Sequence, residues 1–233
     1  MRDTPTTVSP APSSFPGELL IWLSPSFPIG SFAYSQGLEA AVEMGWVRDT
    51  AKLGQWIEAV VRHGAVHNDL ILMSLIMRAE EEADIRQFAE LAAAMQPSRE
   101  RAGEALDQGR SFVAAISAGW TGDRSCSDVF GGFGPLIFPA ALAIAARVYR
   151  LDQAATLEAY AIAFCNNLIS AAIRLGVTGQ FDGQRVMADL LVIVRQATAA
   201  ARLAEICDLG SATFGADIAS MFHETQTTRL FRS

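Results

Sequence analysis

The sequence predicts an all-α fold, a single-domain helical bundle of roughly eight to ten helices, on three observations. Alanine and leucine dominate and no run of alternating β-branched residues suggests a strand. Apolar residues recur at helical spacing, as in Leu53, Trp56, Ile57, Val60 and Val61. Neither of the two glycine-rich breaks, residues 119–134 and 176–183, has the Pro/Ser density of a domain linker. A chain of 233 residues buries roughly 70 to 75% of its unfolded surface, so the core needs no disulfide or metal staple. Hydrophobic residues make up 51% and charged residues 18%, which leaves apolar surface for a partner to cover.

The elements follow in order. Residues 1–16 carry Pro5, Pro10, Pro12 and Pro16 among Ser and Thr, without the basic start and apolar run of a signal peptide, and read as a flexible leader. Residues 17–220 form the helical domain. A short helix over 18–24 is closed by Pro25. Residues 25–34 are too rich in Pro, Gly and Ser for a helix, yet Phe27, Ile29, Phe32 and Tyr34 exceed what a solvated loop carries; this segment is expected to be a structured surface used for self-association, giving a homodimer. Ser35 caps a helix reaching Met44, with Gly45 as its stop. Asp49 or Thr50 caps the next, whose pattern weakens near Gly64, and another helix runs from about 69 to 83. Further helices are expected near 84–95, 98–118, 134–149, 152–175 and 182–207. The most apolar stretch, 133–148, is interrupted by Pro135 and Pro139 and closed by Arg147, so it reads as a buried core helix and not a membrane span.

Charge and motif content narrow the function. A net charge of −7 with scattered cations argues against nucleic acid and against a polybasic membrane surface. Cys126, Cys165 and Cys207 form no C-x-x-C pair, which suits the reducing cytoplasm. Lys52, the only lysine, follows Ala51, so no phosphate-binding P-loop exists, and no G-x-S-x-G elbow is present. His63 and His67 sit four apart on a predicted helix, which puts both imidazoles on one face, but Gly64 stands where H-E-x-x-H needs its glutamate, and two ligands do not complete a metal site. They are weak candidates, and no metal site is assigned. Glu39 and Glu43 also share a face, where a carboxylate pair can bind a divalent ion or serve acid–base chemistry, but a solvated helix face is the expectation. Arg174 ends a very apolar helix, where a cation suits the helix dipole; it is either a good C-terminal residue or a polar hot spot beside the second glycine break.

The tail, Met221–Ser233, crowds His223, Glu224, Arg229, Leu230, Phe231 and Arg232 onto a chain end. A free end with such anchors is expected to bind a partner; the alternative is a terminal helix folded onto the protein's own core. Both readings stay open on residue types alone.

Three separated blocks resemble the urease accessory protein F family. They are L-S-P-S-F-P-I-G-S-F-A-Y-S-Q-G-L-E from Leu23, followed by Gly45-Trp46-Val47; N-L-I-S-A-A-I-R-L-G-V-T-G-Q-F-D-G-Q-R from Asn167; and His223-Glu224-Thr225-Gln226 followed by Arg229 to Ser233. Ser98-Arg99-Glu100 is a weaker match. The chain departs from the family pattern at Thr227-Thr228, where Tyr-Ser is common, and at Gly176-Val177-Thr178, where Val-Pro-Leu is more usual. The resemblance implies a non-enzymatic, all-helical adaptor, commonly a dimer. It would bind the D (or H) accessory protein, recruit the nickel-carrying GTPase G through it, and promote nickel delivery to apo-urease. By the same resemblance no cofactor would be tightly bound, and the complex would handle the nickel. Arg174, His223, Glu224, Arg229 and Arg232 would face the partner or organise that interface, with Leu230 and Phe231 as anchors. An alternative is a GTPase-activating protein that lends Arg174 or Arg229 to the transition state; another is a generic helical ligand-binding protein.

Overall fold

Helix α4, Ala65–Arg78, is buried almost all round: Val66 and every residue from Asn68 to Ile76 lie in the interior. A helix buried on nearly every face has to sit at the centre, and α4 is packed against α3 (Thr50–His63), α5 (Glu82–Ala94), α7 (Phe138–Val148), α8 (Gln153–Arg174) and α9 (Gln180–Ala201). The computed structural model describes residues 15–122 and 129–233, with no strand among them. The remaining helices are α1 (Gly17–Trp22), α2 (Leu38–Glu43), α6 (Arg99–Gly119) and α10 (Phe214–His223). Most of the expected leader and Cys126 fall outside the described residues.

Side-chain caps start α3, α6 and α8. Asp49 accepts from Lys52 N, Ser98 from Arg101 N and Asp152 from Ala155 N. Helix α7 begins at Phe138, later than expected, because its cap residue Ile137 is held extended and Pro139 fits the first helical turn. Gly109 lets α6 cross the chain entering α7: a Cβ there would lie 2.0 Å from Leu136 O. Trp22 ties α1 to the bundle through edge-on contacts with Phe112, Trp120 and Tyr149 at 5.8, 5.6 and 5.1 Å. Helix α8 is long and apolar enough to cross a membrane, but over half of its most apolar window is buried inside the protein.

Several expectations are corrected. The chain turns sharply at Gly64, and α4 starts at Ala65, not near 69. His63 and His67 therefore lie on different helices, and their spacing makes no helical metal pair. Helix α2 starts at Leu38 and not at Ser35, because Gln36 and Gly37 adopt positive φ of 59° and 81°. In the 25–34 loop, Phe27, Ile29 and Tyr34 are buried in the chain's own core, so of the four expected surface residues only Phe32, 65% exposed, faces outward. The last long helix stops at Ala201 rather than 207, and α10 follows as a separate helix.

Candidate functional site: the docked tail

The site is where α10 and the tail seat on α2, α6 and the end of α8. Gly37 makes this possible: with φ of 81° it brings the start of α2 so close to α10 that a Cβ would meet Ser220 N at 2.8 Å. Ala219, Ser220 and His223 face inward.

His223 is fully buried between two carboxylates on different helices. Its Nε2 lies 3.2 Å from Glu39 Oε2 and its Nδ1 lies 2.7 Å from Glu100 Oε2. An imidazolium donates to both at once, whereas a neutral ring donates to only one. Glu39 was expected on a solvated face, but it is only 7% exposed. The tail explains its burial, since Glu39 Oε1 also accepts from Leu230 N at 2.7 Å and Oε2 from Phe231 N at 3.0 Å. A single side chain thus holds the end of α10 and the tail beyond it.

The rest of the tail is tied down residue by residue. Glu224 Oε1 accepts from the backbone N–H groups of Arg99 and Glu100 at 2.9 and 3.3 Å, satisfying free donors at the start of α6. Arg229 donates to Glu100 Oε1 at 2.5 Å and to the carbonyls of Glu224 and Gln226 at 2.6 and 2.7 Å. Phe231 is 3% exposed and lies under the Arg174 guanidinium, 4.2 Å from the ring centre. Partial desolvation against the ring lowers the Arg174 pKa, although the residue stays exposed. Arg232 donates its N–H to Ala33 O at 2.8 Å, and its guanidinium sits over the Tyr34 ring.

Ser233 closes the arrangement. Its backbone oxygen accepts from Ser35 N and Oγ, both at 2.6 Å, and from Gln36 N at 3.2 Å. Its hydroxyl donates to Glu104 Oε2 at 2.7 Å. Glu104 is buried with Arg101, 2.5 Å away, and also accepts from Gln108 and Gln36. Burial opposes the Arg101 charge, but Glu104 more than compensates and holds its pKa above the ordinary value.

Of the two readings of the tail left open by the sequence, the chain by itself adopts the folded-back one. Phe231 and His223 are interior residues, which corrects the expectation that Phe231 lacks burial until a partner arrives. Leu230 remains 62% exposed, and Arg174 and Arg232 lie at the surface. Sequence reasoning missed the receiving side: Glu39, Glu100, Glu104, Gln36 and the carbonyl-binding role of Ser35. The first and weaker blocks of the family resemblance contained Glu39, Ser35, Gln36 and Glu100 but did not show what they hold. No group of three or more metal-ligating side chains suited to an ion occurs among the described residues; His67 Nε2 lies 3.1 Å from Asp208 O.

Outward from this anchored base, α10 exposes Phe214, Ile218, Met221 and Phe222 at 71, 42, 51 and 56%. Their spacing puts them on one side of the helix, so α10 is buried on one face and apolar but uncovered on the other.

A family model described as UreF matches residues 47–191. Urease accessory protein UreF of Rhodopseudomonas palustris is 45% identical over 218 residues, covering 92% of each chain. The chain belongs to the UreF family. UreF of Bradyrhizobium diazoefficiens is 44% identical over 92% of this chain and 90% of its own, and that of Methylorubrum populi 42% over 92% and 97%. The UreF model ends within α9, so α10 and the tail lie beyond the matched segment.

Proposed function

We propose that this chain is a non-enzymatic adaptor of urease maturation in the cytoplasm, and that α10 with the seated tail is the face that takes the D/H accessory protein. Through that partner it recruits the nickel-carrying GTPase to apo-urease, with nickel as the cargo of the complex. The observation that carries this reading is the uncovered apolar row Phe214, Ile218, Met221 and Phe222 on a helix whose opposite face is locked by the contacts of His223 with Glu39 and Glu100. Apolar side chains held on a rigid base lose little freedom on binding, which is what makes them effective anchors. Leu230 belongs to the same terminal region, and Arg174, Arg229 and Arg232 supply its polar rim.

The groups with chemical potential are already engaged. His223, Glu39 and Glu100 hold the tail, Arg229 is paired to Glu100, and Arg174 lies on Phe231. This favours the adaptor over a GTPase-activating role for either arginine. Self-association is assigned to the surface around Phe32, the one expected loop residue that faces outward.

The test is co-purification with the D/H protein of the wild type and of an Ile218→Ser/Phe222→Ser double variant. These side chains are half-exposed, so helicity should be kept while capture falls at least a hundredfold, about 2.7 kcal/mol. Undiminished capture by a folded double variant refutes the assignment. Single-turnover GTP hydrolysis by the GTPase should be unchanged by this chain; acceleration would restore the activating role.

A further inference from the structure

Between the 23–36 segment and helices α4, α6, α7 and α8 lies a cleft of about 180 Å³, which shares Gln36 and Glu104 with the seat of Ser233 but is otherwise left free by the tail. Its volume exceeds by an order of magnitude what a single water needs. One side is polar and buried: Asp69, Arg101, Glu104, Gln108 and Tyr160. The other is apolar, with Ile29, Phe138, Pro139 and Phe164.

The polar side has an unequal set of partners. Glu104 is satisfied by Arg101, Gln108, Gln36 and Ser233, and its charge cancels that of Arg101 2.5 Å away. Asp69 has no such counter-ion in contact. Its Oδ2 accepts from Tyr160 Oη at 2.6 Å, while Oδ1 has no hydrogen bond among the described residues. Two further acceptors on the wall, Gln36 Oε1 and Gln96 Oε1, are buried without a partner. The cleft therefore carries one uncompensated negative charge and an excess of acceptors beside an apolar wall. Unmet acceptors of this kind are costly until a donor arrives.

We propose that this cleft binds a small organic cation, an amidinium or guanidinium on an apolar stem, which donates to Asp69 Oδ1 while its stem lies against Phe138, Pro139 and Phe164. A planar cation with several N–H groups meets the carboxylate with two parallel bonds. A hydrated metal ion would leave the apolar wall unused and finds only one uncompensated carboxylate. This site is independent of the adaptor reading, since it involves neither the α10 row nor the GTPase.

The test is a titration of the full chain with benzamidine at pH 8, followed by amide NMR. Saturable shifts at the cleft with a millimolar or tighter Kd are expected. Tyr160, Arg101 and Glu104 face Asp69, whose burial pushes its pKa up to about 6; protonation at pH 5 should weaken binding at least tenfold. Asp69→Asn should do the same at pH 8 and abolish the pH dependence, which separates Asp69 from Glu104. Ala163→Leu narrows the cleft without altering the polar network and should abolish binding with helicity intact, so the proposal stays testable if Asp69→Asn fails to fold. Non-saturating shifts, equal binding of benzoate, saturation by nickel or magnesium without saturation by benzamidine, or an unaltered Kd in folded Ala163→Leu would each overturn it.

Discussion

Replacing Glu39 by Ala removes one carboxylate and strands three donors, the backbone N–H groups of Leu230 and Phe231 and the His223 ring. Phe231 N and His223 are buried, so water does not readily replace the lost acceptor there; Leu230 N is only partly buried, and water can reach it. An unmet buried donor costs roughly 1 to 3 kcal/mol. Taking the buried donors as the main contributors gives about 3 to 5 kcal/mol against the docked tail. The loss falls first on the tail, because the bundle core around α4 makes no use of Glu39. Hydrogen exchange is the direct assay: the Leu230 and Phe231 amides should lose protection by a factor of at least 100, about 2.7 kcal/mol, while α4 amides fall much less. Glu39→Gln should give a partial effect, since its amide keeps one acceptor oxygen and turns a donor toward the other N–H. Unaltered protection at Leu230 and Phe231 in Glu39→Ala would refute the claim that this carboxylate holds the tail.

Arg174→Ala should lower stability by only about 0.5 to 1 kcal/mol, the worth of an exposed cation over a ring, and Lys should rescue in part; a melting-temperature loss typical of a core truncation would place Arg174 in the fold itself, and normal nickel loading of urease matured with the Ala variant would remove it from the partner face. Deleting residues 225–233 should leave the helical content largely intact but expose the seat of Phe231 and leave Glu39 with His223 alone, seen as a lower melting temperature by circular dichroism together with loss of D/H capture. Gly109→Ala forces α6 away from Leu136 O and should cost about 3 kcal/mol or more in urea unfolding, beyond the ordinary range for overpacking. Asp69 binds its proton more tightly folded than unfolded, from about 6 down to the ordinary 3.8, so its contribution favours the fold at low pH and is lost as pH rises through that window, roughly 3 kcal/mol in all; Asp69→Asn should remove that downward slope between pH 4 and pH 6.

Helix existence was legible because it rests on local chemistry. The period of Leu53, Ile57, Val60 and Val61, the cap at Asp49 and the buried character of α7 follow from the chain near each residue, and the caps that the structure adds at Ser98 and Asp152 rest on equally local chemistry. So was the composition of the tail as a set of anchors, together with the blocks that carry the family resemblance.

What needed the tertiary structure was every pairing across sequence distance. Glu39 and Glu43 look alike as two carboxylates on one short helix, yet Glu39 is buried because residues almost two hundred positions later place an imidazole and two N–H donors against it. His63 and His67 look like a helical pair, yet Gly64 takes a backbone conformation that puts them on separate helices. Phe231 reads as a partner anchor and Arg174 as a helix-end cation until the fold stacks one on the other. A helix period or a cap depends on neighbours within a turn, so one sequence specifies it; the burial of a charge depends on which distant groups arrive to satisfy it, and only the folded chain decides that.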